Sequence, residues 1–195
     1  MAITTEQVKE LREKTGVSIM QCKKALEEAA GDFEKASILL RKKGSEVANK
    51  KAGRELHAGT IASYIHSDGR IGVLVELLCE TDFVAKNKEF KDLADDIAMH
   101  VAAMDPQFLR LEEITEGDRA KAIEVFTEET EKLDKPKNVK EKILQGKLDA
   151  YFKEKTLVTQ SFIKDPAVTI GELLEQAIQK TGERIDLSRF IRFSI

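Results

Sequence analysis

The segment TIASYIHSDGRIGVLVELLC, residues 60–79, decides the fold class. Apolar residues recur at every second position in two runs, and the turn between the runs contains an Asp-Gly pair, which is a strong hairpin signal. The second run places five residues on one face: Ile71, Val73, Val75, Leu77 and Cys79. Leu74 and Leu78 make its other face partly apolar. A strand of this kind belongs in the middle of a sheet or at an interface.

The amino-terminal segment has helical periodicity instead and predicts three short helices. Each helix has a capping residue and a glycine stop, in the pairs Thr4 and Gly16, Ser18 and Gly31, and Asp32 and Gly44. The third helix is accordingly predicted over residues 33–43. Because helices this short are marginal alone, they must pack on one another. Residues 1–50 are therefore predicted to form a three-helix domain.

A change of composition follows this domain. The stretch SEVANKKAGRELHAG, residues 45–59, is small, basic and weakly apolar, which is typical of an exposed helical connection. We place a linker at residues 51–59 and a core domain at residues 60–195.

The core domain contains further helices and one more strand. Asn87 can cap a long helix with an apolar stripe at Phe90, Leu93, Ile97, Val101 and Met104. The connection DKPK joins two helices within residues 118–155 and is short enough to make them antiparallel. The last strand places five residues on one face: Ile185, Leu187, Ile191, Phe193 and Ile195. The fold class is therefore α+β, with a small antiparallel three-stranded sheet covered by helices.

Composition limits the possible functions. The net charge of −3 lacks the basic excess that gives general affinity for nucleic acid. Cys22 and Cys79 are far apart and have no zinc-ligand spacing, so we expect two reduced thiols in a cytoplasmic protein. No run of about eighteen apolar residues occurs, so we expect no membrane span.

Catalytic residues are scarce. A cysteine nucleophile could pair only with His57, His66 or His100, and sequence spacing does not exclude such a dyad. The structural interpretation is that Cys79 ends a buried strand and that the histidines lie at a turn and beside an apolar stripe. The chain also has no glycine-rich phosphate loop, which indicates that any nucleotide is bound by a partner rather than by this protein. We expect no cofactor.

The motif CETDFVAKN, residues 79–87, raises a separate question about Phe83. Phe83 could be a buried anchor at the corner between strand and helix, with Asp82 as the cap. The following helix, however, already has its own cap at Asn87 and its own aromatic residue at Phe90. This arrangement favours a Phe83 side chain that is presented outward.

Three segments together resemble one family. They are VKELREKTGVSIMQCKKALEEAAGDFEKA with LRKKG, then YIHSDGRIGVLVELLCETDFVAKNKEF, and then DIAMHVAA with a terminal RFIRF. In this order and over nearly the whole chain they resemble bacterial elongation factor Ts. The resemblance implies a guanine-nucleotide exchange factor for the GTPase elongation factor Tu, which promotes GDP release and exchange for GTP, and not an enzyme in the covalent sense.

The resemblance also implies site residues. Thr81, Asp82, Phe83 and Val84 match the family's TDFV motif, which is inserted beside the partner's nucleotide site and disturbs magnesium binding. The amino-terminal helices resemble a ubiquitin-associated-type docking domain, in which Ile19 and Met20 match residues of the partner-contacting region. For these two residues, core packing at a helix start is the alternative.

The chain departs from long family members in two ways. Leu78 stands where a polar residue is expected, and only one sheet core is present. The resemblance to short members implies a homodimer, for which we expect a shared face of Leu74, Leu78 and Phe190.

Two other functions compete with exchange. One is a non-catalytic adaptor or scaffold, in which the helical domain binds a helper protein. The other is nucleic-acid binding through basic residues such as Lys23 and Lys24, although Glu27 and Glu28 on the same helix dilute that charge.

Overall fold

A computed structural model describes residues 3–195, and the chain divides into two compact units. One unit comprises the chain up to Met99 together with Gly171–Ile195, and the other comprises His100–Ile170. In the residues described, no helix is both long enough and apolar enough to span a membrane.

The first unit begins with three helices, α1 (Thr5–Thr15), α2 (Ile19–Glu28) and α3 (Phe33–Lys51). Thr4, Ser18 and Asp32 cap them by accepting hydrogen bonds from backbone N–H groups, as predicted. The helices enclose a core of their own, formed by Val8, Leu11, Val17, Cys22, Ala25, Leu26, Ala29, Ala36 and Leu40.

The predicted end of the third helix at Gly44 is wrong, because α3 continues to Lys51. Gly44 is buried inside the helix, where a Cβ atom would lie 3.1 Å from the side-chain oxygen of Gln179. The hydroxyl of Ser45 also donates to Glu175 on the same neighbouring helix. Gly44 therefore serves close helix approach, which compensates for its low helix propensity.

The sheet of the first unit has three antiparallel strands in the order β1 (Ala58–Ile65), β2 (Ile71–Cys79) and β5 (Ile185–Ser194). The α+β class is confirmed, and the sheet packs against helices. These are α4 (Asp82–Ala85), α5 (Lys88–Met104), which crosses into the second unit, and α8 (Ile170–Thr181). β1 begins at Ala58, inside the stretch predicted as linker.

The face predicted for the last strand is wrong in part. The β2–β5 register shifts between Glu76 and Leu77, so that Leu77 pairs with Leu187 but Glu76 pairs with Arg189. Ser188 is the extra residue of this bulge, and a bulge reverses the side to which later residues point. Ile185 and Leu187 are consequently buried, whereas Ile191 and Phe193 lie on the opposite face and are exposed.

The second unit contains the end of α5, α6 (Glu116–Glu131), α7 (Lys137–Lys155) and a short antiparallel pair, β3 (Ser161–Phe162) and β4 (Asp165–Thr169). The sequence did not predict this pair. Lys140 bonds to Glu131, and the later Lys147 bonds to the earlier Glu129. This order of contacts shows that α6 and α7 are antiparallel, as expected. The core beside this helical pair is formed by Ile114, Ala122, Leu148 and Phe152.

Candidate partner-binding site

The residues Asp82–Ala85 form a single helical turn, α4, between β2 and α5, and Thr81 precedes it. Thr81 has an extended backbone and caps the turn, because its hydroxyl accepts a hydrogen bond from the Val84 N–H at 3.5 Å. Asp82 therefore is not the cap, contrary to the alternative considered for it. The Asn87 side chain accepts from the Glu89 N–H at 3.0 Å, which confirms the separate cap predicted for α5.

The turn divides its four residues between two sides. Phe83 is 84% exposed and Asp82 is also exposed, whereas Val84 is 4% exposed and Ala85 is buried. A single turn that packs on β1 and β2 can face the sheet with only part of its circumference. Val84 and Ala85 occupy that side, and Phe83 is left in solvent.

A carboxylate from a distant segment holds the start of the turn. Glu183, between α8 and β5, accepts from the Thr81 backbone N–H at 3.0 Å and from the Thr81 hydroxyl at 2.6 Å. The residue before Thr81 is tied to the same segment, because Glu80 accepts from the Arg184 N–H and from the Arg54 guanidinium. The hydrogen bond from Arg184 is the main reason why the pKa of the Glu80 carboxyl lies below its usual range.

Cys79 lies directly before this motif and is a poor nucleophile. Burial, aided by the negative charges of Glu183 and Asp82, raises the pKa of its thiol to about 11. Its Sγ donates to the Thr81 carbonyl at 3.3 Å. A thiol with so high a pKa is almost entirely protonated near neutral pH, and the reactive species is the thiolate.

The side chains of the three histidines contact groups other than a thiol. His100 is fully buried, with Nε2 3.0 Å from the Gln160 side-chain oxygen, and its Nδ1 accepts from the Ile163 N–H at 3.3 Å. Burial lowers the pKa of the His100 imidazole. His57 lies 3.2 Å from Glu55 on the surface, and His66 lies 3.4 Å from the Tyr64 hydroxyl. Within residues 3–195, no group of three or more His, Cys, Asp or Glu side chains could hold a metal ion.

Ile19 and Met20, the residues expected to contact a partner, begin α2 directly after the Ser18 cap. Ile19 is 54% exposed and Met20 is 82% exposed, while Cys22 two residues later is buried. Neither side chain is therefore committed to the core of the bundle.

A third exposed region is the outer face of the sheet. Leu74 pairs with Ser63 on one side and with Ile191 on the other, so the three side chains share that face. The exposed large apolar residues on this face are Ile61, Ile65, Leu74, Ile191 and Phe193. Leu78 lies there too, half-buried, but the expected partner Phe190 does not. Phe190 pairs with the buried Val75 and points to the core side, because the bulge at Ser188 reverses the alternation.

A comparison with known protein families finds a match over almost the whole chain. A family model described as elongation factor Ts matches residues 4–195. The chain belongs to the elongation factor Ts family. It is 50% identical to elongation factor Ts of Fervidobacterium nodosum, with 100% of this chain and 99% of the relative covered. It is 51% identical to elongation factor Ts of Thermodesulfovibrio yellowstonii, with 100% and 97% covered.

Elongation factor Ts of Carboxydothermus hydrogenoformans is likewise 50% identical, over 99% of this chain and 89% of the relative. The recognition of the family from the three quoted segments is thus confirmed. A role in translation elongation follows from membership in the elongation factor Ts family.

The sequence analysis predicted Thr81, Asp82, Phe83 and Val84 as site residues but did not predict what holds them. Glu183 is 102 positions away from Thr81, and nothing in its local sequence, TGERID, distinguishes it from a surface glutamate after a helix stop. The bulge at Ser188 was similarly hidden, although the polar Ser188-Arg189 pair interrupts the apolar alternation of the strand and could have signalled it.

Proposed function

We propose that the protein is a guanine-nucleotide exchange factor for elongation factor Tu. It binds the GDP complex and promotes release of GDP and its exchange for GTP. The observation that carries this proposal is an 84% exposed phenylalanine, Phe83, on a turn that is bound at its start by Glu183 and anchored by the buried Val84. An apolar ring presented to solvent is suited to insertion into another protein.

The mechanism follows from linkage. A GTPase holds its nucleotide through loop amides, a lysine and magnesium. A partner that binds better when these groups are displaced must weaken nucleotide binding, and incoming nucleotide must weaken the partner by the same factor. The exchange factor needs no nucleophile or base for this.

The four motif residues have different parts in this proposal. Phe83 inserts beside the magnesium and phosphate site of the partner, and Asp82 brings a negative charge to the same place. Thr81 caps the turn, and Val84 anchors it in the core of this protein rather than contacting the partner directly.

Docking requires additional surface, because a wedge alone cannot offset the cost of deforming the partner. We assign this role to the amino-terminal helices, within residues 1–50, with Ile19 and Met20 as apolar contacts. Their exposure leaves both side chains available.

We also propose that the protein is a homodimer in the cytoplasm, with the outer sheet face as its interface. Soluble monomers rarely expose a contiguous apolar patch of this kind. A second copy could cover it through a two-fold axis, so that Leu74 and Ile191 of both copies become buried. Light scattering should then give twice the chain mass of 21.9 kDa, and Leu74→Glu should give the monomer mass with unchanged circular dichroism. A wild-type mass near that of one chain at micromolar concentration refutes the dimer.

The experiment that tests exchange follows release of a fluorescent GDP analogue from purified elongation factor Tu. Adding this protein at sub-stoichiometric concentration should accelerate release with repeated turnover. An adaptor that merely binds elongation factor Tu would leave the release rate unchanged, and that result would contradict the proposal.

A further inference from the structure

The link between Glu183 and Thr81 uses both carboxylate oxygens of Glu183 and both hydrogen-bond donors of Thr81. One carboxylate oxygen accepts from the Thr81 backbone N–H at 3.0 Å, and the other accepts from the Thr81 hydroxyl at 2.6 Å. Hydrogen bonds to a charged acceptor are about twice as strong as neutral ones. The pair therefore fixes both the backbone and the side-chain rotamer of Thr81.

The orientation of the Thr81 hydroxyl matters for the whole turn. Because its hydrogen points to Glu183, its lone pairs are available to the Val84 N–H, which caps α4. That capping bond is long, at 3.5 Å, and a four-residue helix has no stability of its own. Burial of Val84 fixes one side of the turn, and Glu183 fixes its start.

The segment that carries the Glu183 carboxylate is held in place by its neighbours. The Glu183 N–H donates to the Thr181 hydroxyl at 3.2 Å, and the Lys51 ammonium at the end of α3 donates to the Gly182 carbonyl. The Arg184 guanidinium donates to the Arg54 carbonyl and pairs with Asp186 at 3.0 Å. The segment from Gly182 to Arg184 is thus a fixed support and not a free loop.

We propose that Glu183 is a positioning residue for nucleotide exchange, which acts through Thr81 to hold Phe83 in the direction needed for insertion. This inference rests on the proposed exchange function. It differs from a purely structural role, because Glu183 lies at the surface end of the turn and outside the buried core. Its loss should loosen the presentation of Phe83 while the fold persists.

The kinetic test compares Glu183→Ala, Glu183→Gln and a control, Glu128→Ala. Glu128 is an exposed glutamate on α6. Glu183→Ala removes both hydrogen bonds to Thr81 and should lower kcat for GDP release by about tenfold, while KM for elongation factor Tu stays within about twofold. Glu183→Gln should retain most of kcat, since its amide can accept from the N–H and donate to the hydroxyl oxygen. The control should match the wild type.

A second measurement does not depend on elongation factor Tu. The chain has no tryptophan, so Phe83→Trp introduces a single fluorescent reporter at the tip of the turn. Adding Glu183→Ala to this variant should lower the steady-state anisotropy of the tryptophan at an unchanged melting temperature. Thr81→Val replaces the hydroxyl by a methyl group and so removes both its bond to Glu183 and its cap on Val84. It should lower the anisotropy in the same direction, so the test holds even if Glu183→Ala folds poorly.

The outcomes separate the two proposals. If the wild type does not accelerate GDP release, the exchange function fails, and the anisotropy still decides whether Glu183 holds the turn. If the wild type is active but Glu183→Ala keeps full kcat, or loses activity only in proportion to its unfolded fraction, the positioning role is overturned. Unchanged anisotropy in both Glu183→Ala and Thr81→Val would also overturn it.

Discussion

Phe83 in α4 and Phe90 in α5 are seven residues apart, and their environments are opposite. Phe83 is 84% exposed, whereas Phe90 is 3% exposed and borders the same groove as Leu173 and Ala177 of α8. On α5, Phe90 begins a buried stripe that continues with Ala94 and Ile97. Hydrophobicity is equal at the two positions, so the phase of each helix relative to the sheet decides which ring is core and which is surface.

The comparison also shows how an exposed aromatic is kept from collapsing onto the core. Two separate caps, Thr81 for α4 and Asn87 for α5, break the chain into two helices whose phases are independent. A single continuous helix would have made Phe83 and Phe90 neighbours on one face, since they are two turns apart. The interruption between the helices therefore allows one aromatic residue to be structural and the other to be presented.

The largest expected effect is on stability, at Phe90. Phe90→Ala should lower the free energy of unfolding by about 3–5 kcal/mol, because it removes a buried ring and leaves a cavity. Chemical denaturation monitored by circular dichroism measures this loss. A cost below about 1 kcal/mol would mean that Phe90 is not the structural member of the pair.

The second expected effect is on function, at Phe83. Phe83→Ala should reduce acceleration of GDP release by about 100-fold, a change of about 2.7 kcal/mol in the barrier. The melting temperature should remain nearly unchanged, because an exposed side chain contributes little to stability. Measurement of both quantities on one preparation is decisive. A variant that melts many degrees lower, with activity lost in proportion, would make Phe83 a second structural residue.

The third effect concerns Met20, one of the two exposed apolar residues that we assign to docking. Met20→Ala should raise KM for elongation factor Tu by about tenfold at nearly unchanged kcat, because truncating a docking contact weakens ground-state and transition-state complexes equally. Ile38→Ala is a matched control, since Ile38 is also exposed on the same bundle. An equal rise of KM in both variants would show a nonspecific surface effect, and a fall of kcat alone would place Met20 with Phe83.

Local patterns in the sequence predicted most of the fold, and the family resemblance supplied the residues of the candidate site. The alternation in residues 60–79 predicted the hairpin, and caps predicted where the helices begin, because both signals lie within a few residues. Gly44 was predicted to end the third helix, but its role is to let that helix approach α8, about 130 residues away in the sequence. Glu183 and the Ser188 bulge were missed for the same reason, since each is defined by a partner on another strand or turn.

The smallest expected effect is at Asp82, and it tests whether the motif acts by charge as well as by shape. Asp82 does not cap the turn, and its contact with Lys86, at 3.6 Å between exposed side chains, contributes little to stability. Asp82→Asn should therefore leave the melting temperature unchanged. If the carboxylate acts on the charged groups of the partner's nucleotide site, Asp82→Asn should reduce kcat for GDP release by about threefold, less than the loss at Phe83.

Lys86→Ala breaks the same ion pair but keeps the carboxylate, so it should remain as active as the wild type. Equal losses in both variants would assign the effect to the ion pair within α4, and full activity of Asp82→Asn would leave the Phe83 ring alone as the active part of the motif.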